Sequence, residues 1–162
     1  MPQQPLSQYL ATKPKGTLEK IAEDYNCSLY DVICAIPSST VVDGKNFDNV
    51  WQHVLGWGKI ILIVHTPDTI LEYAGNLPNG SHQHGYFNLD HTTGISGHIK
   101  AENCAHIAFI ERKFMGVKTA SIVFLNKKGE SIIKIFLSRD EKRQLLTNQL
   151  EAFQQLANSL GN

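Results

Sequence analysis

The sequence predicts an α+β fold in which a large antiparallel β-sheet carries an N-terminal helical group and a C-terminal helix packed on it. Two changes in the apolar pattern, which divide the chain into three stretches, predict this fold. Apolar residues recur at helical spacing up to residue 56, alternate with a period of two from Lys59 to residue 137, and then return to helical spacing. A chain of 162 residues suits a single domain, which we expect to span 1–162.

The predicted helices begin at residues that cap helices well. Thr17 and Ser28 are suited to N-cap two short helices, and a third helix is expected over 46–56. Ser138 is expected to cap the C-terminal helix. Its apolar stripe consists of Leu146, Leu150, Phe153, Ala157 and Leu160.

The middle of the chain predicts about seven or more strands, because segments of alternating polarity are separated by turn residues at hairpin length. Strands joined so closely are expected to form an antiparallel meander. The segments are 59–65, 70–77, 83–89, 95–101, 104–113, 119–125 and 131–137.

Composition narrows the possible partners. Lys and Arg number 15, as do Asp and Glu, so no net charge attracts nucleic acid or an anionic membrane. The longest aliphatic run is "IILIV" at 60–64, and the N-terminus lacks a signal-peptide pattern, so we expect no membrane insertion.

The three cysteines fit neither a zinc motif nor a disulfide framework, which indicates reduced, buried thiols in a cytoplasmic protein.

The two N-terminal helices have the spacing of a helix-turn-helix, which raises DNA binding as an alternative. The second helix, "SLYDVICAI", contains no Arg, Lys, Asn or Gln to contact base edges, and it brings Asp31 toward phosphate. Structural packing is therefore the favoured interpretation of this pair.

Histidines concentrate in the middle third of the chain, where six of the seven lie between residues 65 and 106. The "HQH" segment, His82 and His84, could chelate a metal as in a cupin, but the Glu that a cupin motif needs is absent. His98 follows Gly97, and glycine in a strand marks close approach by another group. Tyr86 could bind ferric iron. Residue types alone thus predict a ligand-binding α+β domain.

Several motifs in order along the chain resemble the intracellular heme carrier family called HutX or ChuX. They are "PSSTVV" (37–42), "FDNVW" (47–51), "IVHT" (63–66), "HGYFNL" (84–89), "GISGHIKAENCAHIAFIERKFMG" (94–116) and "IKIFLSRD" (133–140). The resemblance implies a cytoplasmic heme-binding protein of bacteria that import heme for its iron. It also implies a fold similar to one half of the two-repeat HemS or ChuS heme proteins, a homodimer that imitates those repeats, and transfer of heme to a heme-degrading or heme-storing partner.

By the same resemblance, His65 of "IVHT" and His98 of "SGHIKAEN" are expected to bind heme, with Tyr86 of "HGYFNL" as a competing iron ligand. Lys100, Arg112 and Lys113 are expected to meet the heme propionates. His106 is expected to be structural. The alternative function is a heme-degrading, heme oxygenase-like enzyme, because heme itself carries much of the oxygen chemistry.

Overall fold

The computed structural model describes residues 3–161, and within that range it contains nine strands and five α-helices. The helices are α1 (Leu6–Ala11), α2 (Leu18–Asp24), α3 (Leu29–Cys34), α4 (Phe47–Leu55) and α5 (Thr147–Gly161). The strands are β1 (Thr40–Asp43), β2 (Lys59–His65), β3 (Ile70–Asn76), β4 (Gly80–Gln83), β5 (Tyr86–Leu89), β6 (Gly97–Ile99), β7 (Cys104–Phe114), β8 (Val117–Asn126) and β9 (Ser131–Phe136). The predicted α+β class is confirmed.

The strands form two antiparallel sheets, so the prediction of one meander is wrong. The large sheet has six strands in the order β1-β7-β8-β9-β2-β3, and the small sheet has three in the order β4-β5-β6. After β3 the chain leaves the large sheet through Leu77, which is buried, and Pro78, which has no N–H to continue a ladder. The Trp51 indole donates a 2.9 Å hydrogen bond to the Pro78 carbonyl and fixes this exit.

Strand β7 is apolar on both faces because it separates two hydrophobic cores. Ala108 and Ile110 face the core under α1–α3, whereas Ile107 and Phe109 face the core shared with α4, α5 and the small sheet. The alternation of β7 side chains between faces therefore gives contacts on both sides.

The predicted caps of α2 and α3 are confirmed. The Thr17 hydroxyl accepts a hydrogen bond from the Lys20 N–H, and Ser28 and Asp31 form a reciprocal capping box. The apolar residues of both helices pack into the core against β7 and β8. Packing of this kind supports the structural interpretation of the pair over DNA binding.

The predicted start of the C-terminal helix at Ser138 is wrong, because α5 begins at Thr147. The Ser138 hydroxyl donates to the Lys59 carbonyl at 2.6 Å, and its N–H donates to Oε1 of Gln149 at 2.8 Å. Gln149 is buried and also donates to the carbonyls of Trp57 and Lys59. These bonds hold the start of α5 against β2, and further along the helix Phe153 packs edge-on to Phe109.

Strand β1 and helix α1 were not predicted, and the predicted strand 83–89 is interrupted. His84 and Gly85 adopt positive φ values of 55° and 81°, which turn β4 sharply into β5.

Across residues 3–161, no helix is long and apolar enough to span a membrane.

The three cysteines are free but differ in exposure, so the expectation that all are buried is wrong. Cys104 is buried, Cys27 is half-buried and Cys34 is exposed. Burial raises the pKa of the Cys104 thiol to about 11.

Candidate functional site

A cavity of about 210 Å³ lies on the face of the large sheet that the N-terminal helices cover only in part. Strands β2 and β3 form one wall, the ends of β7–β9 form the floor, and the start of α2 closes one side. Apolar side chains, charged groups and three hydroxyl side chains line it: Thr17, Leu18, Glu19, Ile63, His65, Ile70, Glu72, Arg112, Phe114, Thr119, Ser121, Val123, Lys134 and Phe136. We call it the His65 cavity.

His65 ends β2 at the rim of this cavity, beside a buried ion pair. The carboxylate of Glu19 in α2 pairs with the ammonium of Lys134 in β9. Nδ1 of His65 lies 3.4 Å from Oε1 of Glu19 and 3.5 Å from Nζ of Lys134. The hydrogen bonds among residues 3–161 engage His65 at Nδ1 and not at Nε2.

Glu19 and Lys134 were not identified from the sequence as site residues. The sequence did contain an indication that Lys134 has a partner. This lysine interrupts the apolar segment "SIIKIF", and lysines are seldom buried without a partner. Its side chain is only 9% exposed. The partner could not be found by spacing, because Glu19 lies 115 residues earlier in the chain.

Tyr86, His98 and Lys100 come together on the outer face of the small sheet. Tyr86 begins β5, and the Tyr86 and His98 rings meet edge to face with centroids 5.9 Å apart. Nζ of Lys100 lies 5.4 Å from the centroid of the Tyr86 ring, within cation–π range. Asn88 accepts a hydrogen bond at Oδ1 from Nδ1 of His98 over 2.6 Å.

Gly97 contributes to the position of His98 through its backbone. It has φ of 152°, which side-chain-bearing residues rarely adopt, and a Cβ there would meet open space. Gly94 instead lies against the Tyr73 ring. The expectation that Gly97 marks close approach by another group is therefore replaced by a conformational role for this glycine.

The predicted residues form two groups rather than one. Within the described part of the chain, the residues lining the His65 cavity include neither Tyr86 nor His98. Arg112 lines that cavity and donates to the carbonyls of Pro14 and Gly16. Burial lowers the pKa of its guanidinium, which nevertheless remains a cation at neutral pH.

Lys113 lies outside the His65 cavity. It lines a larger cavity, of about 610 Å³, between the end of α1 and the end of β7. Glu111, Arg112 and Lys118 also contribute to that cavity. Of the three expected propionate contacts, only Arg112 thus lies beside His65, and only Lys100 lies beside His98.

Three further histidines, His82, His84 and His106, have other surroundings. Nε2 of His82 lies 2.7 Å from Oδ1 of Asp48 in α4, and His84 occupies the β4–β5 turn. Since Tyr86 pairs with Gln83, it lies on the face opposite His82. His106 stacks on Tyr30 with ring centroids 4.3 Å apart. Residues 3–161 contain no cluster of three or more potential metal ligands among His, Cys, Asp and Glu side chains.

Comparison with known proteins agrees with the motif resemblance. The family described as "Haem utilisation ChuX/HutX" matches residues 40–156. The "Intracellular heme transport protein HutX" of Vibrio cholerae is 33% identical over 154 residues, covering 93% of this chain and 80% of that protein. The solved structure named "Structure of the Heme Binding Protein ChuX" is 58% identical, with a TM-score of 0.92, and covers 97% of this chain and 99% of that one.

A larger protein shares the fold alone. The heme degrading enzyme ChuS of Escherichia coli O157:H7 is 12% identical with a TM-score of 0.76, and the match covers 100% of this chain but 49% of that one. The predicted likeness to half of a ChuS-type protein is confirmed. With the family match over most of its length and the relatives at 33% and 58% identity, the chain belongs to the ChuX/HutX haem utilisation family.

Proposed function

We propose that this protein is a cytoplasmic heme-binding carrier that accepts imported heme and passes it to a downstream heme-degrading or heme-storing protein. The observation that carries the proposal is the His65 cavity, in which an imidazole engaged at Nδ1 by the described residues stands among apolar side chains and cations.

The residues of the cavity suit heme as cargo. A tetrapyrrole needs an apolar surface, an axial donor and cations for its propionates. Ile63, Ile70 and Phe136 would provide the surface, His65 the donor, and Arg112 a cation. Enclosed ligand pockets usually exceed about 300 Å³, so a heme would extend from this smaller cavity over exposed surface such as Ile70.

The separation of His65 from the Tyr86–His98 group supports a carrier that releases its cargo. Iron held by one protein ligand exchanges more readily than iron clamped on both sides in a closed pocket. Each group combines an imidazole with a cation, since Arg112 lines the His65 cavity and Lys100 lies over the Tyr86 ring. We propose that His65 and His98 bind heme and that one of them is the single iron ligand, with Tyr86 as the competing iron ligand.

The names of the relatives favour a carrier over an enzyme. The HutX relative is named an intracellular heme transport protein, and the ChuX structure is that of a heme-binding protein. The heme degrading enzyme ChuS resembles this chain in fold only. The cytoplasmic location follows the word intracellular in the name of the HutX relative.

We further propose that two copies form a homodimer. The support is that this chain matches 49% of the ChuS chain, so two copies would supply as many domains as one ChuS. Sedimentation equilibrium of the purified protein, with and without ferric heme, tests this directly. A monomer at all concentrations would contradict it.

The carrier proposal is tested by heme titration followed by transfer. Ferric heme should bind with a saturating Soret change, and apomyoglobin added afterwards should take the heme up. Incubation of the complex with ascorbate and oxygen is the second arm. Conversion of heme to a defined open-chain tetrapyrrole over multiple turnovers would contradict the carrier proposal and favour the heme-degrading enzyme.

A further inference from the structure

Asn88 occupies the centre of the small sheet and contacts three backbone carbonyls at once. Its Nδ2 atom lies 3.2 Å from the Ser81 oxygen, 3.0 Å from that of Gln83 and 3.1 Å from that of Tyr86. An amide nitrogen donates to carbonyl oxygens, whereas an amide oxygen in the same place would face three acceptors. The carboxamide is therefore oriented with Nδ2 toward the backbone and Oδ1 toward His98.

This orientation determines which nitrogen of His98 carries the proton. Asn88 and His98 are directly paired across β5 and β6, and Oδ1 lies 2.6 Å from Nδ1. Because a carboxamide oxygen can only accept, Nδ1 must donate. The neutral imidazole then carries its lone pair on Nε2, the arrangement in which histidine usually binds a metal while its other nitrogen is held by a neighbour.

His82, on the opposite face of the same small sheet, shows the opposite arrangement. Its Nε2 atom is held by the carboxylate of Asp48 at 2.7 Å, so Nε2 donates and is occupied. The sheet thus holds two histidines with opposite ring nitrogens engaged. Of these two histidines, only His98 has an Nε2 atom without a hydrogen bond to the described residues.

We propose that Asn88 is a positioning residue that holds His98 as the Nδ1–H tautomer and so presents Nε2 to the iron of heme. The iron-binding half of this inference rests on the proposed function, whereas the tautomer can be measured in the protein without heme.

The first test is two-bond ¹H–¹⁵N correlation NMR of apo protein labelled at histidine, at a pH well above the ordinary imidazole pKa of about 6.5. His98→Gln and His82→Gln assign the signals. In the unsubstituted protein we expect His98 protonated at Nδ1 and His82 protonated at Nε2. A His98 ring protonated at Nε2 would overturn the proposal without any variant.

Substitution of Asn88 tests the cause. Asn88→Leu should move the His98 proton largely to Nε2, whereas the control Gln83→Ala, which removes an exposed side chain but keeps the carbonyl that Asn88 contacts, should retain it on Nδ1. The His82 pattern should be unchanged in both variants and reports that the small sheet has folded. An unchanged His98 pattern in a folded Asn88→Leu variant would overturn the role of Asn88.

Heme titration tests the second half. Asn88→Leu should weaken ferric heme binding by about 10- to 100-fold, the usual cost of losing the residue that orients a metal-binding histidine. If the protein binds heme and both Asn88→Leu and His98→Ala leave affinity and spectrum unchanged, the iron-binding half is overturned. If the unsubstituted protein binds no heme, the proposed function fails, while the NMR result still decides the tautomer.

Discussion

Glu19 and Lys134 form an ion pair that joins helix α2 to the centre of the large sheet beside His65. The Lys134 side chain is 9% exposed and that of Glu19 is 27% exposed, so the pair is largely withdrawn from water. Oε1 of Glu19 also lies 3.4 Å from Nδ1 of His65. The N-terminal helical group is therefore coupled to the candidate ligand through one carboxylate.

Removing one partner of this pair should be more costly than replacing the other by an apolar side chain. Glu19→Ala leaves the Lys134 ammonium buried without its counter-ion and should lower the free energy of unfolding by about 2–3 kcal/mol, below the value for a fully buried pair. Lys134→Met fills a similar volume and should change the free energy of unfolding by less than about 1 kcal/mol. Urea denaturation measures both.

The matched control for this comparison is Glu23→Ala, a second acidic residue of α2. The Glu23 side chain is 76% exposed, and its carboxylate forms a long ion pair of 3.8 Å with Nζ of Lys20. Its removal should therefore change the free energy of unfolding by less than about 0.5 kcal/mol. Equal destabilisation by Glu19→Ala and Glu23→Ala would show that the pair with Lys134 contributes nothing.

His65→Ala and His98→Ala should each weaken ferric heme binding by at least about tenfold, as expected for loss of a metal-binding imidazole or its support. A shifted Soret band in one variant would identify the axial ligand. Fluorescence and absorbance titrations measure the affinity. His53→Ala is the control, since His53 is exposed on α4 and lines neither group of candidate residues; it should bind heme normally.

Tyr86→Phe should leave heme binding and the ferric spectrum nearly unchanged, within about twofold in affinity. The substitution keeps the aromatic ring that meets His98 and Lys100 and removes only the phenol oxygen. Absorption and resonance Raman spectra of the ferric complex check it. If Tyr86→Phe alone alters the spectrum while both histidine variants leave it intact, Tyr86 is the iron ligand.

The thiols should react with iodoacetamide in the order of their exposure. Cys34 is exposed and should be alkylated first, whereas Cys104 is buried and its pKa is raised to about 11, so little thiolate is present at pH 8. Peptide mapping by mass spectrometry measures each rate. In concentrated guanidinium chloride all three cysteines should react alike, and equal rates for Cys34 and Cys104 in the native protein would contradict the burial of Cys104.

The sequence predicted those features that depend on local pattern. The bounds of β2 were predicted correctly because an uninterrupted apolar run ends at His65, and the caps at Thr17 and Ser28 were correct because capping involves residues three apart. The motifs also identified the family, which the comparisons confirm.

Features that depend on distant partners could not be predicted. Side chains alternate with a period of two in every strand, whichever sheet the strand belongs to. The alternation therefore could not show that β4–β6 form a separate sheet. Strand β1 has four residues and is defined by its pairing with β7. The position of Lys134 beside His65 depends on strand order, and the contact between Asn88 and His98 depends on the register of β5 and β6.

The two-sided burial of β7 limits where evolution could place ligand-binding side chains on this scaffold. The centre of β7, from Ile107 to Ile110, is buried on both faces, so a polar substitution there would be selected against whatever it offered a ligand. Charged residues enter β7 only from Glu111 onward, where the strand emerges from between the two cores. Variation in ligand preference among relatives should therefore concentrate in β2, β3, β9, the small sheet and the end of β7 from Glu111 onward, while the centre of β7 drifts only among apolar residues of similar volume.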